Sequence, residues 1–322
     1  VGVWSEFEEK EFETLANVAF VSEQIMRKRS VQVFSPGQVL EKTLGFDFAT
    51  HVEKYSPIHR RLFGATPGAP GATNAQLTQL AVPLSQSTSF LNVFIQYKRP
   101  EFFKRGHRST LWDRREEYLR FTVSESSLGG GYHFDQVTAL DQLSQSLGAS
   151  ALVRYACPTI WTKNDLYGLF GANSLLENSV FVSPDKLIDV NGRDPYHRRW
   201  TFQTKRPDVG MPNPDGRLMD VENGEAFSEN LEKYSTNLPR NLEYADIIRS
   251  EANRVQKVRS LADVRKSKLR SGDRARAVQE DDSFARELQK LPSQKRSAVE
   301  ASLEIAKISR DLGVKWMVVA SS

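Results

Sequence analysis

Residues 90–100, Phe-Leu-Asn-Val-Phe-Ile-Gln-Tyr-Lys-Arg-Pro, restrict this chain more than any other stretch. Phe90, Leu91, Val93, Phe94 and Ile95 form a short, mostly β-favouring run closed by Pro100, which reads as a buried central strand and is too short to span a bilayer. Its far end is polar. Side chains alternate across a strand, so Gln96 and Lys98 project from one face. An amide beside an ammonium is costly to bury without partners. Packing alone explains this end poorly, and Gln96 and Lys98 are read as one wall of a site.

A chain of 322 residues, 39% of them apolar, can build one large domain or two small ones around a real core. The amino end carries no charged, apolar, cleavable leader and no run is long enough to cross a bilayer, so a cytoplasmic protein without membrane contact is expected. The single cysteine, Cys157, excludes an internal disulfide framework and a multi-cysteine zinc site, and reads as a small buried hydrophobe. The five histidines are scattered without His-Glu-x-x-His spacing, no Gly-x-Ser-x-Gly elbow occurs, and neither Lys-Ser nor Lys-Thr follows Gly129-Gly130-Gly131. Zinc-protease, serine-hydrolase and phosphate-loop chemistries therefore gain no support.

Ser5 and Glu8 have capping-box spacing ahead of a stretch free of Gly and Pro to Arg29, predicting a long first helix with Phe12, Leu15, Ala16 and Ala19 as its core stripe. Glu6, Glu8, Glu9 and Glu11 are expected in water or near the helix start, whereas Glu13 sits at the stripe's edge, where a carboxylate reaches inward. Val31–Phe34 reads as a strand. So does Gly45-Phe46-Asp47-Phe48, with Asp47 pointing away from its aromatic face. Between Asp47 and Gln96, residues 64–72 are Gly-Ala-Thr-Pro-Gly-Ala-Pro-Gly-Ala, an inserted surface loop by composition.

Further along, a strand at Leu119–Val123, a helix begun at Asp135 and stopped by Gly148, and a strand at Ser150–Ala156 follow the grammar of an α/β sheet. A helix carrying Val299, Leu303 and Ala306, a stop at Gly313 and a strand at Val314–Val319 repeat it. That last strand is too apolar to be left free and is expected to join a sheet. Pro207 to Gly224 reads as loop or linker, dividing a core of residues 1–206 from a basic, mostly helical portion over residues 225–322.

Basic residues gather in two places. Arg99, Lys104, Arg105, Arg108, Arg114, Arg115 and Arg120 lie among Phe102, Phe103, Trp112 and Tyr118, which suits a phosphate-rich ligand and equally suits a solvated face paired with Glu116 and Glu117. From Arg249 to Arg276, Arg265, Lys266, Lys268 and Arg270 belong to a run where bases outnumber acids. Leu242, Ala245, Ile248, Ala252 and Val255 give its first part a helical stripe, so an amphipathic helix is expected, its basic face either solvated or laid along a nucleic-acid backbone.

In chain order, Phe12-Glu13, Gly45-Phe46-Asp47 and Val93-Phe94-Ile95-Gln96-Tyr97-Lys98 present carboxylate, carboxylate, amide and lysine. This pattern resembles the PD-(D/E)XK nuclease superfamily, in the variant where Gln replaces the second acid, as in Mrr-type restriction enzymes. The resemblance covers roughly the first hundred residues. It implies a restriction-endonuclease-like mixed sheet flanked by helices and metal-dependent cleavage of a phosphodiester, most often in double-stranded DNA. It also implies a cytoplasmic role in restriction or antiphage defence, and an activating partner or homo-oligomer is compatible with it.

Phosphodiester hydrolysis needs an activated water, a neutralised phosphate and a stabilised leaving oxygen, and Mg²⁺ or Mn²⁺ held by carboxylates supplies much of this. By the resemblance, Asp47 is the principal metal ligand, Gln96 and the Tyr97 carbonyl complete the site, Glu13 binds directly or through water, and Lys98 serves the attacking water or the phosphorane-like transition state. Arg99, Lys104, Arg105, Arg108 and the later basic run would grip the backbone. Gln203-Thr204-Lys205 is a second Gln-x-Lys, read as the more exposed copy. Gln brings no negative charge to a cation, so the alternative is a catalytically inactive nuclease-like module that binds nucleic acid, or a structural subunit of a defence complex.

Overall fold

The computed structural model describes residues 2–27, 29–33, 89–104, 116–123, 125–126, 132–133, 135–188, 197, 199–213, 217–237 and 250, scattered positions between 289 and 309, and 312–321. In chain order, β1 (Val3–Trp4) leads into α1 (Glu9–Met26) and β2 (Ser30–Val33). Next come β3 (Ser89–Tyr97), β4 (Glu101–Phe103), β5 (Tyr118–Thr122), β6 (Glu125–Ser126) and β7 (Tyr132–His133). They are followed by α2 (Asp135–Leu147), β8 (Ala151–Pro158), α3 (Lys163–Gly171), β9 (Ser179–Val182), β10 (Arg199–Gln203) and β11 (Arg206–Asn213). The last are β12 (Met219–Asp220), β13 (Glu222–Asn223), α4 (Gly224–Asn237) and β14 (Lys315–Ser321).

The architecture is mixed α/β, as the sequence leads one to expect. Among the described residues, one six-stranded sheet has the order β13-β9-β8-β3-β14-β2, a second has the order β1-β4-β5-β10-β11-β12, and β6–β7 is a separate ribbon. The second sheet is antiparallel throughout. In the first, β3 lies in the interior, parallel to β8 with Gln96 beside Tyr155, and antiparallel to β14 with Ile95 opposite Lys315. A parallel pair requires a long crossover, and α2 lies within it, packed on β8 through a buried row that includes Val137, Leu140, Leu143 and Leu147.

Both faces of β3 are covered, which is why its sequence is a nearly continuous apolar run. On one side Leu91, Val93, Ile95 and Tyr97 meet Phe12, Ala16, Ala19 and Phe20 of α1 and Phe227 and Leu231 of α4. On the other, Phe94 joins Val153, Tyr155, Cys157 and Trp316, together with α2 and with Phe121, Trp200 and Phe202 of the antiparallel sheet. The two sheets thus share one core. Gly148 and Gly313, with φ of +55° and +69°, are the left-handed stops that release the chain into β8 and toward β14. The carboxyl-terminal strand does join a sheet, between β3 and β2.

Three expectations need correction. Ser5 does not cap α1: Glu8 holds the N-cap position, and Ser5 Oγ instead donates to the Phe7 carbonyl at 3.0 Å and accepts from Arg99 Nε at 3.1 Å. Residues 207–224 are not a linker, because β11 to β13 occupy most of them and bond into both sheets. Pro207 and Pro212 are tolerated since the outer edge of β11 pairs with β12 only at Val209 and Gly210. The second Gln-x-Lys is not an exposed strand: Trp200 to Gln203 are buried, and Thr204-Lys205 is the hairpin turn after them. The loop at 64–72 and the amphipathic run from Leu242 lie outside the described residues.

Candidate active site at the carboxyl ends of β3 and β8

β3 and β8 run parallel and end side by side, the Lys98 N–H donating to the Ala156 carbonyl at 2.8 Å to extend the ladder past the last formal strand residue. Ligand sites of α/β sheets form at such carboxyl ends, where backbone polarity and loop side chains converge. Gln96 is buried on the face it shares with Tyr155, and its Nε2 donates to the Tyr97 carbonyl at 3.0 Å. That bond turns the amide nitrogen toward Tyr97 and the amide oxygen away from it. Lys98 emerges half-buried on the same face, its Nζ 5.8 Å from the centroid of the Tyr155 ring. A low-polarity wall of Tyr155 and Cys157 therefore backs an amide and an ammonium.

Among the described residues, Glu9 in the first turn of α1 is a carboxylate on which Lys98 and the Arg99 backbone act. Burial raises its pKa above the usual carboxylate range, Lys98 opposes that rise, Glu13 adds to it, and a hydrogen bond from the Arg99 backbone N–H also opposes it. Glu9 and Lys98 both act on the Cys157 thiol, which burial first and Glu9 second hold well above the ordinary range. Such a thiol stays protonated and is a packing group rather than a nucleophile. Sequence places Glu9 in water or near the helix start, and it is in the first turn of α1; its desolvation follows from the helical stripe that positions 9, 12 and 16 share.

Glu13 goes elsewhere. Its carboxylate binds Lys315 Nζ at 2.9 Å and Lys10 Nζ at 3.2 Å, and Lys315 lies opposite Ile95, on the α1 side of the sheet. Gln96 faces the other side. The structure thus separates Glu13 from Gln96 and makes it the counterion of two lysines. Its other neighbour is the Tyr97 phenol, raised well above its ordinary range by burial and then by Glu13. Tyr97 OH donates to Asn17 Oδ1 at 2.7 Å and its ring meets Phe12 edge-on at 5.5 Å. The middle residue of Gln-x-Lys is clamped from behind by α1, an anchor the sequence did not announce.

Arg99, expected to contact a nucleic-acid backbone, is engaged within the chain. Its guanidinium donates to Ser5 Oγ, to the Ser5 carbonyl at 2.8 Å and to Glu8 at 2.7 Å. Lys104 is exposed at the end of β4. Asp47, Arg105, Arg108, Arg265, Lys266, Lys268 and Arg270 lie outside the described residues. Among the described residues no three His, Cys, Asp or Glu side chains form a cluster that could hold a metal ion, and no helix is long and apolar enough to cross a membrane. No family model, no curated protein and no solved structure matches the chain.

Proposed function

We propose that the chain is a metal-dependent endonuclease that hydrolyses phosphodiester bonds in DNA at the carboxyl ends of β3 and β8. One observation carries the reading: Gln96 and Lys98 share a face of β3 where it ends beside the parallel β8, with the Lys98 N–H bonded to the Ala156 carbonyl at 2.8 Å. The parallel β3–β8 pair in a mixed sheet covered by helices supports a nuclease-like core. The residues that would hold Mg²⁺ or Mn²⁺ there are oxygen donors: the Gln96 amide oxygen and the Tyr97 carbonyl from β3, Glu9 reaching round from α1, and Asp47 as the further carboxylate that the resemblance implies. When bound, the cation neutralises the phosphate and activates water. Lys98 hydrogen-bonds the scissile phosphate oxygens and stabilises their developing charge, while Tyr155 and Cys157 keep that corner poor in water and so strengthen the interaction. Double-stranded DNA, a restriction or antiphage setting and activation by a partner or second copy are the context such chemistry fits.

Supercoiled plasmid incubated with the purified protein tests this, with Mg²⁺ or Mn²⁺ against EDTA. Metal-dependent nicking that Lys98→Ala and Asp47→Ala each reduce by about 100-fold or more, with DNA binding retained, is the expected result. Full activity in both variants removes the assignment. A binding module without turnover is the second reading, favoured by the neutral Gln96 and by Glu9 as the carboxylate beside Lys98 among the described residues. It predicts salt-sensitive DNA binding and no nicking with either metal.

A further inference from the structure

We infer that Tyr155 is a positioning residue whose ring fixes the Lys98 ammonium at the mouth of the β3–β8 end. This rests on the nucleolytic reading above and adds what holds its lysine in place. β3 and β8 are parallel with Gln96 and Tyr155 in register, so Tyr155 stands on the face that Gln96 and Lys98 share. The Lys98 Nζ lies over the ring, 5.8 Å from its centroid. The next residue of β8 holds the other end of the same lysine, since the Lys98 backbone N–H donates to the Ala156 carbonyl at 2.8 Å. Two successive residues of one strand thus hold the backbone and the tip of Lys98.

Burial and rigidity give the contact its effect. A lysine carries its charge on a flexible four-carbon stem, so an ammonium held in one place before substrate arrives loses less freedom on binding. Attraction between an ammonium and the face of an aromatic ring is weak in water and grows when the pair is desolvated. Tyr155 is 0% exposed and Lys98 is half-buried. The ring is itself held: Phe121 of β5 stacks on it with centroids 6.3 Å apart and planes 26° from parallel, and Phe121 meets Phe202 of β10 at 6.5 Å. The antiparallel sheet is therefore the backing against which Lys98 is placed. A buried aromatic is commonly a packing group alone, but packing depends on ring volume and positioning on the negative charge of the ring face, so the two roles separate by experiment. The contact is made to the ring, and Tyr155→Phe preserves it.

The experiment uses the full chain carrying Tyr155→Phe, and the same variant with one, two or three fluorines on that phenylalanine, a series that keeps the packing volume while draining the ring face of negative charge. In protein labelled with carbon-13 at the lysine ε-carbon, the Lys98 signal is identified by its loss in Lys98→Arg. It should lie upfield of exposed lysines in wild type and in Tyr155→Phe, and return toward them stepwise with fluorination as the ammonium leaves the ring. Plasmid nicking should fall along the same series, by about 2- to 30-fold at three fluorines, in kcat and not in KM. A Lys98 signal at the exposed-lysine position in wild type, or one that stays fixed along the series, overturns the assignment. So does nicking that is equal in all four variants. Absence of nicking in the wild type overturns the functional reading instead, and the Lys98 signal still decides the role of Tyr155.

Discussion

At Glu9, two demands on one carboxylate oppose each other. The start of α1 and the Arg99 N–H favour its charge, burial disfavours it, and burial prevails. A carboxyl group whose pKa is higher in the folded than in the unfolded chain contributes stability that is present below the unfolded value, near 4.5, and lost as pH rises through the folded value. Glu9→Gln should therefore melt higher than wild type at pH 7, with the gain shrinking as pH falls through the Glu range, as calorimetry would show. Gln96 and Lys98 were legible as neighbours because strand alternation is local. Glu9 and Glu13 were not separable that way: they sit one turn apart, and Glu13 is held by Lys315, far along the chain. Tyr97→Phe tests the clamp behind the site. Removing the hydroxyl leaves the buried Asn17 oxygen without that donor and should cost about 1–3 kcal/mol in urea unfolding.

Between elements, contacts that hold the site's neighbourhood are specific enough to break singly. Arg154 on β8 makes a two-pronged, largely buried bond to Glu222 of β13, at 2.9 and 2.7 Å. Arg154→Ala leaves Glu222 without this partner, and a loss of about 3–5 kcal/mol by denaturant titration is expected. Gly224 opens α4 against α3's following turn: a Cβ there would lie 2.1 Å from the Leu176 carbonyl oxygen. Since that obstacle is backbone, Gly224→Ala should cost about 1–3 kcal/mol. Sequence reading located α1, α2, β5 and β8 because each follows one period or one stop signal. It missed β11 because its prolines mimic a linker, and their tolerance depends on how little of the strand's outer edge is paired.

Across the whole molecule, the mixed sheet is closed by the end of the chain. β14 supplies Trp316, Met317, Val318 and Val319 to both cores and lies against β3 along its length. Deleting residues 314–322 should abolish the cooperative thermal transition, and a truncated protein with an unchanged melting curve would refute that role for β14. The α/β class was readable from the helix, glycine, strand order. The interlocking of the sheets was not, because strand partners are set by long-range burial. The central claim is that the ends of β3 and β8 hold a divalent cation for hydrolysis. Mn²⁺ titration followed by electron paramagnetic resonance tests it directly: uptake should strengthen with rising pH as Glu9 loses its proton, and Glu9→Gln and Gln96→Ala should each weaken it by about 10-fold or more. Identical uptake in the wild type and both variants, or none at all, would contradict the account.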